Sequence, residues 1–192
     1  MKINEIFYSL QGEGYHSGEA AVFVRFSGCN LLCPFCDTQH ESGVEMSEAE
    51  VVEEVKLYPA RLVVVTGGEP ALQLTDTLVD ALHKAGYIVA VETNGTCPLP
   101  ENVDWVTLSP KDAYVGGAEV MLTHADELKV VYDGKHAPLL YDGVIVKHRF
   151  LQPMDTGDLE KNVRIMAATV EYIKRHPEWR LSLQIHKILN IQ

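Results

Sequence analysis

Hydrophobic and polar positions along the chain follow two alternating patterns. Short runs rich in β-branched and aromatic residues predict strands at 3–8, 21–26, 62–66, 87–92, 105–108, 128–132, 144–150 and 181–185. Two of them, Leu62-Val-Val-Val-Thr66 and Tyr87-Ile-Val-Ala-Val91, are nearly continuous apolar runs, as expected of parallel strands covered on both faces. Stretches with helical spacing lie between the strands. Ser47-Glu-Ala-Glu50 is a capping box that opens a helix reaching Tyr58, stopped by Pro59. A second helix runs from Thr75 to Ala85, with Leu74, Leu78 and Leu82 on one face and Gly86 placed as its C′ residue. The third begins near Asp158, carries Leu159, Val163, Met166, Val170 and Ile173 at alternating spacings of four and three, and ends at Pro177. Strands alternating with helices predict right-handed βαβ winding and a mostly parallel α/β sheet, open or curled into a partial barrel.

Polar clusters sit where those strands end. Gln11-Gly-Glu-Gly14 follows the first strand and Ser27-Gly-Cys29 the second; Gly67-Gly-Glu-Pro70, Thr93-Asn-Gly95, Ser109-Pro-Lys111, Gln152-Pro-Met-Asp155 and His186-Lys187 follow later ones. In parallel α/β architectures the site forms at the carboxyl ends of the strands, so these segments are expected to converge on one mouth. No repeat, low-complexity tract or linker divides the 192 residues, and residues 1–192 are expected to form one domain. The 16 Lys and Arg against 27 Asp and Glu give a net charge of −11. A field of that sign repels phosphate backbones and anionic lipid, so neither nucleic acid nor a membrane is expected as partner. No apolar run approaches the ~20 residues of a membrane span, and no signal-type apolar region follows Met1, so a cytoplasmic location is expected.

In a reducing compartment, clustered cysteines point to metal binding or catalysis rather than to disulfides. Cys29, Cys33 and Cys36 fall within one loop, Gly28-Cys-Asn-Leu-Leu-Cys33-Pro-Phe-Cys36, while Cys97 stands apart. A 4Fe–4S cube normally takes four cysteines, so three in one arc leave an iron open for a small molecule. Other readings stay open on these residues alone. His40 completes a Cys3His zinc site, Cys97 supplies a fourth thiolate to a closed cluster, or three structural thiols hold no metal.

Cys-x-x-x-Cys-x-x-Cys with an aromatic before the last cysteine, followed by Gly67-Gly68-Glu69-Pro70 after the next buried strand, resembles the radical S-adenosylmethionine superfamily. There the open iron is chelated by S-adenosylmethionine, and the Gly-Gly-Glu segment lies beside the methionine amino group, where glycine admits a close backbone approach. Nearly the whole chain is similar to one family within it. Tyr8-Ser-Leu-Gln-Gly-Glu-Gly14, Val24-Arg-Phe-Ser-Gly-Cys29, Cys36-Asp-Thr38, Thr66-Gly-Gly-Glu-Pro70, Glu92-Thr-Asn-Gly95, Ser109-Pro-Lys111, Gln152-Pro153 and Ser182-Leu-Gln-Ile-His-Lys187 occur in the order of the 7-carboxy-7-deazaguanine synthase family of queuosine and deazapurine biosynthesis. This resemblance implies an incomplete TIM-like barrel of mostly parallel strands, about six of them in the core, with few helices. It implies a radical lyase that converts 6-carboxy-5,6,7,8-tetrahydropterin to 7-carboxy-7-deazaguanine with loss of ammonia and regeneration of S-adenosylmethionine. It also implies a 4Fe–4S cluster, S-adenosylmethionine and magnesium as cofactors, an electron donor such as a flavodoxin or ferredoxin, and a homodimer.

Residue by residue, Cys29, Cys33 and Cys36 match the cluster ligands. Phe35, Cys36, Asp37 and Gly68, then Ser109, Pro110 and Lys111, and finally Gln152, Pro153, Met154 and Asp155 match segments around S-adenosylmethionine. Leu10, Gln11, Gly12, Arg25 and Thr66 match substrate contacts, and Gln192 falls beside the pterin. Thr38 matches a magnesium-contacting threonine, the alternative being the hydroxyl of an ST-turn; for Arg25 the alternative is a surface ion pair. Glu13 and His186 fit proton carriers or solvated loop positions, Glu92 and Lys187 are unassigned, and no side chain is singled out as the catalytic group. Residues 115–148 match weakly, and Cys97 is expected as a buried apolar thiol. The competing readings are a glycyl-radical-enzyme activating protein, with the same cysteine spacing, and a noncatalytic iron–sulfur or zinc-binding module. Cys29→Ala, Cys33→Ala and Cys36→Ala are each expected to abolish activity and reduce bound iron, while Cys97→Ala keeps both at a packing cost of about 1 kcal/mol. Iron analysis of the four variants checks this; iron loss in Cys97→Ala would overturn it.

Overall fold

The β-branched runs form strands because both of their faces find apolar cover. In the computed structural model, which describes residues 1–36 and 38–192, the described residues build a nine-stranded sheet ordered β3-β1-β2-β4-β5-β6-β7-β8-β9. Its strands are β1 (Lys2–Leu10), β2 (Ala20–Phe26), β3 (Val44–Glu45), β4 (Leu62–Gly67), β5 (Ile88–Thr93), β6 (Trp105–Leu108), β7 (His124–Tyr132), β8 (Ile145–Pro153) and β9 (Arg180–Leu181). Every pairing from β2 to β9 is parallel, and only β1 runs antiparallel to β2 and β3. Six strands longer than two residues therefore make the parallel core. This is the incomplete barrel that the resemblance implies.

Period-two alternation assigns the two faces. Val22 and Val24 of β2, Val63 and Val65 of β4, and Val89 and Val91 of β5 point outward and pack under two helices. These are α1 (Glu48–Val55), which buries Val51, Val52 and Val55, and α2 (Asp76–Lys84), which buries Leu78, Val79 and Leu82. Ser47 and Glu50 make both bonds of the capping box, and Thr75 caps α2. A second outer core joins Leu128, Val130 and Tyr132 of β7 to Leu151 and Trp179. The inner face is apolar at the bottom, where Phe7, Phe23, Val64 and Ala90 meet, and becomes polar toward the carboxyl ends.

Two expectations are corrected. Helix α3 (Leu159–Arg175) buries Ile165 and Thr169, whereas Leu159 is 79% and Val163 63% exposed. Both stripes repeat with helical spacing. The one carrying Ala168 and Tyr172 meets β7 and Trp179, joined by Ile173 from the end of the expected stripe, and Tyr172 lies 5.4 Å from Tyr132 between ring centroids. The expected strand at 181–185 ends at Leu181 and gives way to α4 (Ile185–Leu189). The Ser182 side chain turns instead to Gln152 and to the backbone N–H of Gly14, so the segment leaves the sheet and crosses its open edge.

Candidate active site

The inner face opens at the carboxyl ends of the strands into a cavity of about 280 Å³. Its thiol wall is the loop after β2. Cys29, Cys33 and Cys36 all line the cavity, Cys29 and Cys33 half-buried and Cys36 exposed. The loop is held by backbone bonds from Gly28 N–H to His40 O (2.7 Å) and from Glu69 N–H to Gly28 O (2.9 Å). The Leu31 N–H points at Cys29 Sγ from 3.4 Å. Asn30 joins Asn94 and Thr96 beyond β5, and buried Glu69 accepts from Thr93 Oγ1, Asn94 N–H and Ala71 N–H. Thus the Gly67-Gly-Glu-Pro70 and Thr93-Asn-Gly95 segments brace the cysteine loop from below.

These residues suit an iron–sulfur cluster. Burial pushes the Cys29 and Cys33 thiols up, the other thiols of the loop raise them further, and Lys111 opposes the shift. Thiolates that resist sharing negative charge are stabilised by a bound metal that supplies positive charge. Among the described residues, no three His, Cys, Asp or Glu side chains are gathered as a single metal ion would need. A Cys3His zinc centre would draw all four ligands onto one ion, whereas a cube takes each thiolate on a different iron. Cys97 is half-buried beside Thr96 Oγ1 at 3.8 Å and does not line the cavity; the expectation of a buried apolar thiol is corrected to that extent.

Around this wall lie the segments expected near S-adenosylmethionine. Phe35, Gly68, Ser109 and Lys111 line the cavity, as do Gln152, Pro153, Met154 and Asp155. Pro110 instead borders a separate small hollow with Tyr114 and Tyr141, and Asp37 lies outside the described residues. Lys111 Nζ donates to Ser109 O (2.5 Å) and Oγ (2.6 Å), and its burial, with Lys129 adding, lowers its pKa to about 8. Asp155 accepts from Lys187 Nζ (2.8 Å), Gly157 N–H and Asn162 Nδ2, which hold its pKa at about 2.

The opposite side gathers the residues expected at the substrate. Leu10, Gln11, Gly12, Arg25 and Thr66 line the cavity, and so does Gln192. Arg25 Nε donates to Glu5 (2.8 Å) and Nη1 approaches Thr38 Oγ1 at 3.4 Å, so both its ion pair and its cavity position are realised. Gln192 bonds Ser9 Oγ through its backbone oxygen (2.6 Å) and Glu5 through its side chain (2.6 Å). Gly12 backs onto His186, and a Cβ there would lie 2.3 Å from His186 Nδ1. Glu13 and Glu92 both reach Lys129, a residue with no role in the sequence reading. Its signal was present: a lysine in Leu128-Lys-Val-Val-Tyr132 breaks an apolar run that is otherwise covered on both faces. Burial would raise Glu13, but the Lys129 ammonium and bonds from Lys129 and Gln184 outweigh it, holding the carboxyl at about 2.

Three thiols on the loop after one parallel strand, set against a glycine-rich turn after the next, define a class of protein. Residues 23–174 match the model of the Radical SAM superfamily, to which the chain belongs. It is 54% identical over 191 residues to a 7-carboxy-7-deazaguanine synthase of Bacteroides thetaiotaomicron, covering 100% of this chain and 98% of the relative. A 7-carboxy-7-deazaguanine synthase of Bradyrhizobium diazoefficiens is 41% identical over 213 residues, with 99% and 98% covered. The crystal structure of QueE from Escherichia coli is similar with a TM-score of 0.75 and 30% identity, covering 95% of this chain and 93% of that one. Within the superfamily, the chain belongs to the 7-carboxy-7-deazaguanine synthase family.

Gly68 gives a direct test of the brace beneath the thiols. A Cβ at this position would lie 2.0 Å from Gly28 O and 2.9 Å from Cys29 Cβ, both fixed parts of the cysteine loop. Gly68→Ala is therefore expected to retain less iron after anaerobic reconstitution than Gly116→Ala, whose Cβ meets nothing within 4 Å. Equal iron in the two variants would show that the loop yields without cost.

Proposed function

We propose that this chain is a radical lyase that converts 6-carboxy-5,6,7,8-tetrahydropterin to 7-carboxy-7-deazaguanine in queuosine and deazapurine biosynthesis. The observation that carries the reading is one cavity with three thiols on one wall and a hydrogen-bonded set of carboxylates and amides on the other. Its volume of about 280 Å³ suits small molecules, which favours a pterin over the protein backbone that a glycyl-radical-activating protein attacks. Cys29, Cys33 and Cys36 would hold the 4Fe–4S cluster, with Phe35, Gly68, Ser109, Lys111 and the 152–155 segment bordering S-adenosylmethionine. When bound, this pair supplies a carbon-centred radical that abstracts hydrogen. Substrate and product differ by ammonia alone, so the reaction is redox-neutral and the abstracted hydrogen must return.

The chain's own residues orient and enclose the pterin. The carboxylates of Glu13 and Glu92 offer acceptors to the donor-rich edge of the ring, and the Arg25 fork suits its carboxylate. Gln11, Gly12, Leu10 and Thr66 shape that side, and the 184–192 segment covers the mouth. Thr38 lines the cavity, and its hydroxyl there would serve a magnesium site completed by water and the substrate carboxylate, as a hard cation prefers. Leu32, 89% exposed at the tip of the cysteine loop, supports approach of a flavodoxin or ferredoxin to this wall. The exposed Leu159 and Val163 stripe of α3 supports a homodimer, and the free thiols support a cytoplasmic setting.

Incubating the reduced, reconstituted protein with S-adenosylmethionine and the carboxytetrahydropterin is expected to give 7-carboxy-7-deazaguanine by mass analysis, with S-adenosylmethionine needed only catalytically. Consumption of S-adenosylmethionine without that product would overturn the reading. Thr38→Val keeps the side-chain shape and removes the hydroxyl. It is expected to lower turnover and abolish its response to added magnesium with iron content intact, whereas unchanged magnesium titrations would remove Thr38 from the site.

A further inference from the structure

Lys129 sits on the inner face of β7, 3% exposed, where its strand neighbours Leu128 and Val130 pack outward into the second core. Its ammonium bonds Glu13 from the loop after β1 and Glu92 from the end of β5 (3.2 Å). The other oxygens of the two carboxylates are also held. Gln184 Nε2 donates to Glu13 (3.0 Å), and Gln11 Nε2 donates to Glu92 (2.9 Å). Gln11 Oε1 in turn accepts the Glu13 backbone N–H at 3.1 Å, which closes a ring running Lys129, Glu13, Gln11, Glu92 and back to Lys129. Each carboxylate thus keeps acceptor capacity beyond the bonds that fix it.

A buried ion pair is weak evidence of a stabilising role, because desolvation offsets the Coulomb attraction and an apolar residue often folds as well. The surroundings of Lys129 point elsewhere, since Glu13, Gln11, Glu92 and Lys129 all line the cavity. We propose that Lys129 is a positioning residue, which holds Glu13 as a carboxylate aimed into the cavity and locks Glu92 against Gln11. This rests on the reading of that side as the pterin site. The groups acting on Glu13 are Lys129 from β7, Gln184 and His186 from the closing segment, Gln11 from its own loop, and Lys111 after β6; Glu92 and Glu127 add negative charge around Lys129. Burial is already the largest single influence on Glu13, and with the ammonium removed only Gln184 and His186 oppose it, so the carboxyl protonates at higher pH.

The test compares Lys129→Met, Lys129→Arg and Lys129→Met/Glu13→Gln with the wild type, all reconstituted. Iron content and S-adenosylmethionine binding should match in all four. In Lys129→Met, kcat/KM for the carboxytetrahydropterin should fall about tenfold or more at neutral pH and recover as pH rises, while the wild-type and Lys129→Arg profiles lack this limb. Infrared spectra of the proteins without substrate supply a readout independent of turnover. Burial also raises Glu69 and Glu127, so the readout is the difference from the wild type: an additional protonated-carboxyl stretch should appear near neutral pH in Lys129→Met and be lost again in the double variant. If Lys129→Met does not fold, Lys129→Met/Glu92→Gln leaves one carboxylate fewer buried and is read in the same two ways. A variant profile parallel to the wild type, with no new carboxyl band, would overturn the proposal. The expected infrared change in a protein that never turns over the pterin would instead overturn the substrate reading and leave the positioning role standing.

Discussion

A parallel sheet that curls without closing leaves a seam, and backbone groups along a seam need partners. Here the partners come from loops at opposite ends of the chain. Gly14 N–H bonds Ser182 Oγ (3.0 Å), and Ile185 N–H bonds Gly12 O (3.1 Å), so the Gln11-Gly-Glu-Gly14 turn and the closing segment seal the gap between β1 and β9. The other features of the site follow from this closure. It sets His186 against Gly12, brings Gln184 to Glu13, and carries Lys187 across the mouth to Asp155. The cavity is therefore walled on its open side by residues the sheet itself does not supply.

The two faces of the sheet divide the energetic work. On the outer face, Val22, Val63 and Val89 and their helix partners are buried with no polar atoms among them, each side chain contributing about 1.5–3 kcal/mol of transfer free energy. The inner face carries buried charge, which costs several kcal/mol per ion before pairing. Separating the functions by strand alternation lets one strand serve both: Val91 and Glu92 are neighbours in sequence and face opposite environments. Moving along each strand from bottom to mouth gives the inner sequence Phe23 to Arg25, Val64 to Thr66, Ala90 to Glu92, and Phe150 to Gln152. The apolar floor excludes water from beneath the polar layer and so strengthens the electrostatic contacts above it.

Local signals in the sequence were read correctly where the physics is local. The Ser47 capping box and the Gly86 turn at φ 91° each depend on a few adjacent residues, and the valine runs of β4 and β5 carry their own pattern. Signals that needed a tertiary partner were missed. The stripe of α3 that is buried was decided by Tyr132 and Trp179, since either stripe satisfies the spacing. The run 181–185 reads as a strand until one knows that its Ser182 is taken by Gly14, far away in sequence. Gln11, Gly12 and Arg25 were legible as site residues because they belong to motifs; Lys129 belongs to none, and its meaning depends on Glu13 and Glu92 arriving from two other elements.

The distribution of charge across the cavity argues for a ligand with two unlike ends. Just above the apolar floor, Glu13 and Glu92 present acceptors that remain after Lys129 has bonded both, Gln184 has bonded Glu13 and Gln11 has bonded Glu92. Toward the rim, Arg25 uses Nε on Glu5 and one Nη1 proton on Thr38, which leaves guanidinium N–H donors for an anion. Lys111 also lines the cavity, and both the Cys33 thiol and the Glu13 carboxyl act on its charge. A molecule with a donor-rich ring edge and a carboxylate satisfies both ends at once, whereas a uniformly anionic or cationic ligand would oppose one of them. Such complementarity would orient the ligand relative to the thiol wall, and in radical chemistry orientation decides which hydrogen is within reach.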